Sequence, residues 1–239
     1  MRKAAACVFP NDRKSLGADR HTMKESKPHI VKRYVVATAG LFLVALGVAL
    51  STRSDLGTSP ISCPPYVLSL FGWLSMGQYT VLMHFVFISL QIALLRRRFR
   101  AELLLQLVPT FIFGFFTDLA MDATAGLQGE TYGARAALLL SGCVVIAAGI
   151  SVQVNASAWM LAGEQTVAVI SEVSGAAFGR VKVFFDSSLV VIGVVLSFCL
   201  LHGLVGIREG TIVSALSVGA IVRRLQGPVG SLLVRLKML

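Results

Sequence analysis

Charged side chains are scarce in this chain. They make up 14% of its 239 residues, against 55% hydrophobic ones. Soluble domains carry about a quarter charged residues, so the composition excludes an ordinary soluble domain and indicates a polytopic membrane protein. Cysteine is equally sparse. Cys7, Cys63, Cys143 and Cys199 stand far apart, with no C-x-x-C pair and no histidine at ligand spacing. A disulfide framework or a zinc site therefore has no basis, and no metal or cofactor is expected. Catalytic motifs are missing too: there is no P-loop, no G-x-S-x-G elbow and no H-E-x-x-H helix. The chain reads as no enzyme, and any transport must be driven by a gradient or by a partner subunit.

Charge is also unevenly placed. The net charge is +10, and residues 1–33 hold nine Lys/Arg against Asp12, Asp19 and Glu25. In a membrane protein such a bias sets orientation and lipid contact rather than nucleic-acid binding. The polar, unpatterned stretch 1–33 is expected to be a disordered basic tail, with Met23 as an alternative start. The apolar run after Arg33 lacks an A-x-A-like cleavage site and is followed by further spans, so it reads as a retained span.

What the chain has in abundance is a block that occurs twice. Gly40–Gly77 and Gly142–Gly179 align at a constant offset of 102 residues, which places Gly40 on Gly142, Gly47 on Gly149, Ser69 on Ser171 and His84 on Asp186. Each copy is an apolar span, a break, an apolar piece too short to span, and a glycine turn. Repeats with interrupted hydrophobic segments point to a transporter-like site. The organisation reads as membrane repeat 1 at 34–122, a loop at 123–135, membrane repeat 2 at 136–225 and a short basic tail at 226–239.

A spanning helix needs about 20 mostly apolar residues. Spans are expected at Tyr34–Ser51, Tyr79–Leu95, Leu103–Met121, Ala136–Val154, Val183–His202 and, shorter, Gly210–Val222. The short pieces are Ile61–Leu74, starting near Pro64, and Met160–Val173. With the basic N-terminus in the cytoplasm, Arg96–Arg100, Arg180, Lys182 and Arg223–Arg224 fall inside only if the short pieces dip in and return. The expected fold is thus all-α: about six transmembrane helices plus two re-entrant half-helices, in two tandem repeats of inverted topology, with both termini inside. Eight crossings with parallel repeats is the alternative.

The segments LGTSPISCPPYVLS, SMGQYT, RRRFRAELLLQ with FGFFTD, FGRVKVFFD and GIREGTIVSALSVG resemble those of the YitT/YczE-like family of bacterial integral membrane proteins. The resemblance covers about residues 34–225. It implies a multi-pass protein of the bacterial inner membrane and a transporter, and little about substrate. One departure is Ala162, before Gly163 and Glu164, where the family tends to carry proline. It bears on the start of the second short helix.

Ionisable residues inside a membrane are functional candidates by default. Glu164, with Gln165 and Thr166, sits where the second half-helix starts; Thr58, Ser59 and Ser62 occupy the first break. These six form the expected substrate-binding set, and capping of free helix N–H groups is the competing role for Glu164 and the hydroxyls. Lys182 and Asp186, four apart on one helix face, suit a charge relay or coupling-ion site, or a structural ion pair. His84, at the equivalent position to Asp186, is either a titrating relay group or a packing residue. Asp118, Arg208 and Glu209 are candidates for a gating or surface charge network. The glycines seven apart suit close helix contact.

Three functions remain open at this stage: a secondary transporter for a small polar or anionic solute with a coupling ion, a channel-like uniporter, and a non-transporting scaffold or regulatory subunit. The bilayer is the expected environment, and a homo-oligomer is compatible with the sequence.

Overall fold

Gly40, Gly47, Gly142 and Gly149 are where the molecule is most tightly joined. A computed structural model describes residues 27–96 and 101–235; most of the basic tail and Arg97–Arg100 lie outside them. Helix α1 (Lys27–Arg53) and helix α5 (Tyr132–Ala156) cross with their backbones in contact. A Cβ on Gly40 would lie 3.0 Å from the Gly149 carbonyl oxygen, and one on Gly149 2.7 Å from that of Gly40. Gly47 and Gly142 stand in the same reciprocal relation, at 2.7 and 2.8 Å. Gly40 also meets Gln153 while Gly142 meets Ser51, and Gly47 meets Ile146 while Gly149 meets Val44. The pairings run in opposite directions, so the helices are antiparallel, and side chains larger than hydrogen would force them apart.

Around this hub stand six more helices: α2 (Cys63–Phe71), α3 (Met76–Leu95), α4 (Leu107–Ala123), α6 (Ala162–Ser174), α7 (Phe178–Leu201) and α8 (Glu209–Arg235). Five of the eight, α1, α3, α4, α5 and α7, are long and apolar enough to cross a membrane, and no strand occurs among the described residues. Their outward faces carry Val86, Phe115, Phe184 and Val195, each more than half exposed. α8 is long, at 27 residues, yet it is not among the helices apolar enough to cross on its own. It does not stop at Arg223–Arg224, where the charges suggest an end. It runs on through Pro228 to Arg235, with Asn155 Nδ2 donating to the Gln226 carbonyl at 3.0 Å and Leu233 buried against Val36 and Ala37.

Local chemistry explains the ends. Ser75 and Gln78 form a reciprocal capping box that starts α3, and Thr131 caps α5 at Ala134 N. Pro64 and Pro65 stand in the first turn of α2, where their missing N–H groups have no helical partner to lose. Gly175 closes α6 at φ +69°, a left-handed turn that glycine takes without strain.

Helix α1 ends and α3 begins beside the same stretch of α4. Arg53, at the end of α1, donates Nη2 to the Met121 carbonyl at 2.8 Å. Ser75 and Gly77, at the start of α3, bond to Asp118, three residues earlier on the same helix α4. The chain thus leaves α1 and enters α3 at one end of the bundle, with the nine-residue α2 between. In the second half, Ala156 at the end of α5 accepts from Arg33 at the opposite end of the bundle, and α7 leads back to the first end, where Gly210 N reaches the Leu56 carbonyl.

Candidate functional site

The two breaks face each other, and the contact between them is apolar. A 3₁₀ turn, Pro60–Ser62, leads into α2, and its Ile61 lies directly against Gly163 in the first turn of α6, in the space a Cβ there would need. Ile61 and Gly163 are 102 residues apart, the same offset that relates the hub glycines. Phe87, Ala162, Val167, Val181, Phe185 and Leu189 surround the junction. The six residues expected to bind a substrate are therefore split into three neighbourhoods.

Thr58, Ser59 and Ser62 form the first. All three are buried. Thr58 Oγ1 and Thr52 Oγ1 are 3.0 Å apart, Ser59 Oγ and Ser62 Oγ 2.8 Å, and Ser214 Oγ donates to the Thr58 carbonyl at 3.4 Å. None of these hydroxyls caps α2. The break is threaded over the start of α8, where Gly57 lies so close to Thr211 that any side chain would collide, and its φ of +121° suits glycine alone.

Thr166 belongs to the second. Its hydroxyl donates to the Ala162 carbonyl at 2.7 Å and accepts from Gln91 Nε2 at 2.8 Å. Gln91 also reaches the Ala162 carbonyl at 3.1 Å and Gln106 Oε1 at 3.2 Å, and Gln106 Nε2 returns a bond to Gln91 Oε1 at 2.9 Å. Both glutamines are buried. This clasp joins α3, the residue that precedes α4 and the first turn of α6. The sequence reading missed Gln91 and Gln106, although a buried amide in an apolar span is itself a signal, because an unpaired one costs about 1–3 kcal/mol.

Glu164 stands in the third, in electrostatic reach of Lys182 and Asp186 on α7. Lys182 Nζ and Asp186 Oδ1 form the expected ion pair at 2.9 Å, one-third and one-fifth exposed. Among the described residues Glu164 makes no hydrogen bond or ion pair of its own, and no side chain caps α6. The Lys182–Asp186 pair thus has a second carboxylate, that of Glu164, nearby. Gln165 is half-buried beside Glu164 and has no side-chain bond among the described residues. The helix starts at Ala162 without proline.

His84 is set apart from that trio. It is buried against Phe87 and Phe113, with Nδ1 3.3 Å from Thr110 Oγ1. Thr110 donates its own proton to the Gln106 carbonyl, which leaves its oxygen free to accept from an imidazole N–H. Asp118 is also separate from Arg208 and Glu209. It accepts from Ser75 Oγ at 2.6 Å and Gly77 N at 2.7 Å, and so caps α3 from α4. Arg208 lies instead 3.6 Å from Glu209 and 4.0 Å from Asp55, which Arg135 holds at 3.0 Å. These groups are exposed, and such pairs are worth about 0–1 kcal/mol.

A recess of about 230 Å³ lies between α6 and α7, lined by Ile170, Ala176, Arg180, Val181 and Phe184. Another of about 140 Å³ lies where α5 meets α8, beside Glu209. Neither opens at the junction of the breaks. No group of His, Cys, Asp or Glu among the described residues has the placement of a metal site.

No curated protein and no solved structure matches this chain. One family model does match, over residues 31–227. That stretch contains the hub, both breaks and all the candidate residues, and the chain therefore belongs to a family of unknown function, DUF6198.

Proposed function

We propose that this protein is a gradient-driven secondary transporter of a small polar or anionic solute, built from two inverted repeats in the bacterial cell membrane with both termini in the cytoplasm. The observation that carries the reading is the pair Ile61 and Gly163. They are one repeat apart, in contact, at the N-termini of two short helices. The reciprocal glycine contacts of α1 and α5 obey the same offset. A single pseudo-two-fold axis through both contacts accounts for them, and an axis in the membrane plane puts half-helix N-termini at mid-depth, where such transporters bind. Half-helix N-termini attract anionic groups. Glu164, itself unpaired among the described residues and near the Lys182–Asp186 pair, suits a coupling cation or proton. The resemblance to YitT/YczE-like proteins agrees with this reading.

Uptake by reconstituted vesicles tests it. Solute uptake that depends on a proton or sodium gradient is expected, and Glu164→Gln in a folded, monodisperse protein is expected to abolish it. Unchanged uptake in that variant removes the coupling role of Glu164, and conductance without a gradient requirement turns the reading to a uniporter. The second reading is a non-transporting scaffold. The dry contact at Ile61 and Gly163 favours it, and it requires that alanine at Thr58, Glu164 and Thr166 leave function intact.

A further inference from the structure

The two halves share a frame but are not equally closed. In the first, α3 and α4 are zipped along their length through Ser75 with Asp118, Gly77 with Gly114, His84 with Thr110, and Gln91 with Gln106. Adding 102 gives Ala177 with Ala220, Gly179 with Leu216, Asp186 with Ile212, and Gly193 with Arg208, on α7 and α8. No comparable interface joins α7 to α8. Thr110 is 0% exposed and its counterpart Ile212 66%. A Cβ on Gly77 would collide with the Gly114 carbonyl, whereas nothing lies within 4 Å of one on Gly179. At one end Ile207, just before α8, covers Gly193.

The short helices are also held differently. The Gln91 clasp ties α6 to α3 through the buried amide Nε2, which reaches the Ala162 carbonyl and Thr166 Oγ1 and also Gln106 Oε1 just before α4. On the other side Gly193 stands at the position of Gln91 and Pro64 at that of Thr166. There α2 rests on α7 through Cys63 and Val67 against Val190, Val194 and Gly193. No side-chain hydrogen bond joins α2 to α7 among the described residues. An apolar contact can reseat without stranding a polar group, whereas a buried amide network must break to move.

From these two asymmetries we infer that α7 is the moving element: it turns about its Gly193–Ile207 contact and closes onto α8, its Val181, Phe185 and Leu189 sliding on the apolar faces of α3 and α6, while α3, α4 and α6 stay clasped. The inference rests on the repeat reading above and adds to it which half moves, and about which end. The exposed knob Leu216 and the open space at Gly179 then meet, as Gly114 and Gly77 already do in the first half.

The test uses the full chain with Cys7→Ser and Cys199→Ser, the buried Cys63 and Cys143 being kept. Spin labels at Phe184→Cys and Ala220→Cys span α7 and α8; labels at Leu82→Cys and Leu119→Cys span α3 and α4. Distances are read by double electron–electron resonance in lipid nanodiscs at pH 5 and pH 8. Two populations across α7 and α8, the shorter one absent across α3 and α4, are expected. A single α7–α8 distance under both conditions overturns the inference, as does a second population confined to α3 and α4. If the first pair does not yield a monodisperse protein, Val183→Cys with Gly219→Cys reads the same seam. Uptake measured on the unlabelled chain separates the two failures. Transport with one rigid distance removes only this inference, and two distances without transport remove only the function.

Discussion

The two halves of the molecule put different chemistry on matching positions. In the first, Ser62, Thr80 and His84 are buried, each bonded close by: Ser62 to Ser59, Thr80 to the Met76 carbonyl, His84 to Thr110. In the second, the residues 102 further on are Glu164, Lys182 and Asp186, an ion pair and a second carboxylate that are only part-buried. The frame is common, because the hub tolerates nothing but glycine on either side. The charge is not. One half supplies a neutral, internally satisfied wall, and the other holds ions that a membrane interior does not tolerate without a partner or water.

The largest effect is expected at the shared frame. Gly142→Leu places a branched side chain between α1 and α5, where a Cβ alone would lie 2.8 Å from the Gly47 carbonyl oxygen. Overpacking a core costs about 1–3 kcal/mol or more, and backbone against backbone cannot yield as side chains do. Loss of the monodisperse peak in detergent size-exclusion chromatography is expected. Gly179→Leu, in open space, is expected to shift the melting temperature little. Equal effects at the two glycines would break the distinction between a closed hub and an open seam.

Next comes the contrast between charge and hydroxyl. Glu164→Gln is expected to remove uptake, while Ser62→Ala, at the matching position, retains it within a few-fold. Equal loss in both would make the two breaks equivalent parts of one site. The polar clasp ranks third. Gln91→Leu and Gln106→Leu are each expected to cost about 1–2 kcal/mol, since each strands the other amide. The double variant is expected to cost less than the two together, as a double-mutant cycle on melting would register. Strict additivity would mean that the two amides are held by something other than each other.

The frame was largely legible in the residues, the site only in pieces. Glycines at 40, 47, 142 and 149 predict close helix contact from their spacing, and that contact forms between α1 and α5. The i, i+4 spacing predicts the pair Lys182–Asp186, which forms. What a one-dimensional pattern does not carry is which helix covers which. Asp118 reads as a partner for Arg208, yet it turns to the start of α3, because Ser75 and Gly77 leave free donors there. Gln91 and Gln106 are fifteen residues apart and meet only because α3 and α4 are antiparallel. The Arg223–Arg224 pair reads as a helix end, but exposed arginines extend from a continuing helix without strain.

The smallest effects separate two carboxylates at the same end of the bundle. Asp118 is part-buried and takes two donors from the first turn of α3, one of them a backbone N–H. Asp118→Asn keeps the shape but weakens the charge-assisted bonds and the favourable contact with the helix N-terminus, at a cost of about 1 kcal/mol. Asp55 is 64% exposed and bridges Arg135 and Arg208 across two helices in solvent, so Asp55→Asn is expected to cost less than about 0.5 kcal/mol, and less still in high salt. Melting of both variants in low and high salt checks the order. A larger loss at Asp55 would mean that its bridge between α1, α5 and the start of α8 holds the second half shut at that end. The pivot at Gly193 would then owe its fixity to charge rather than to packing.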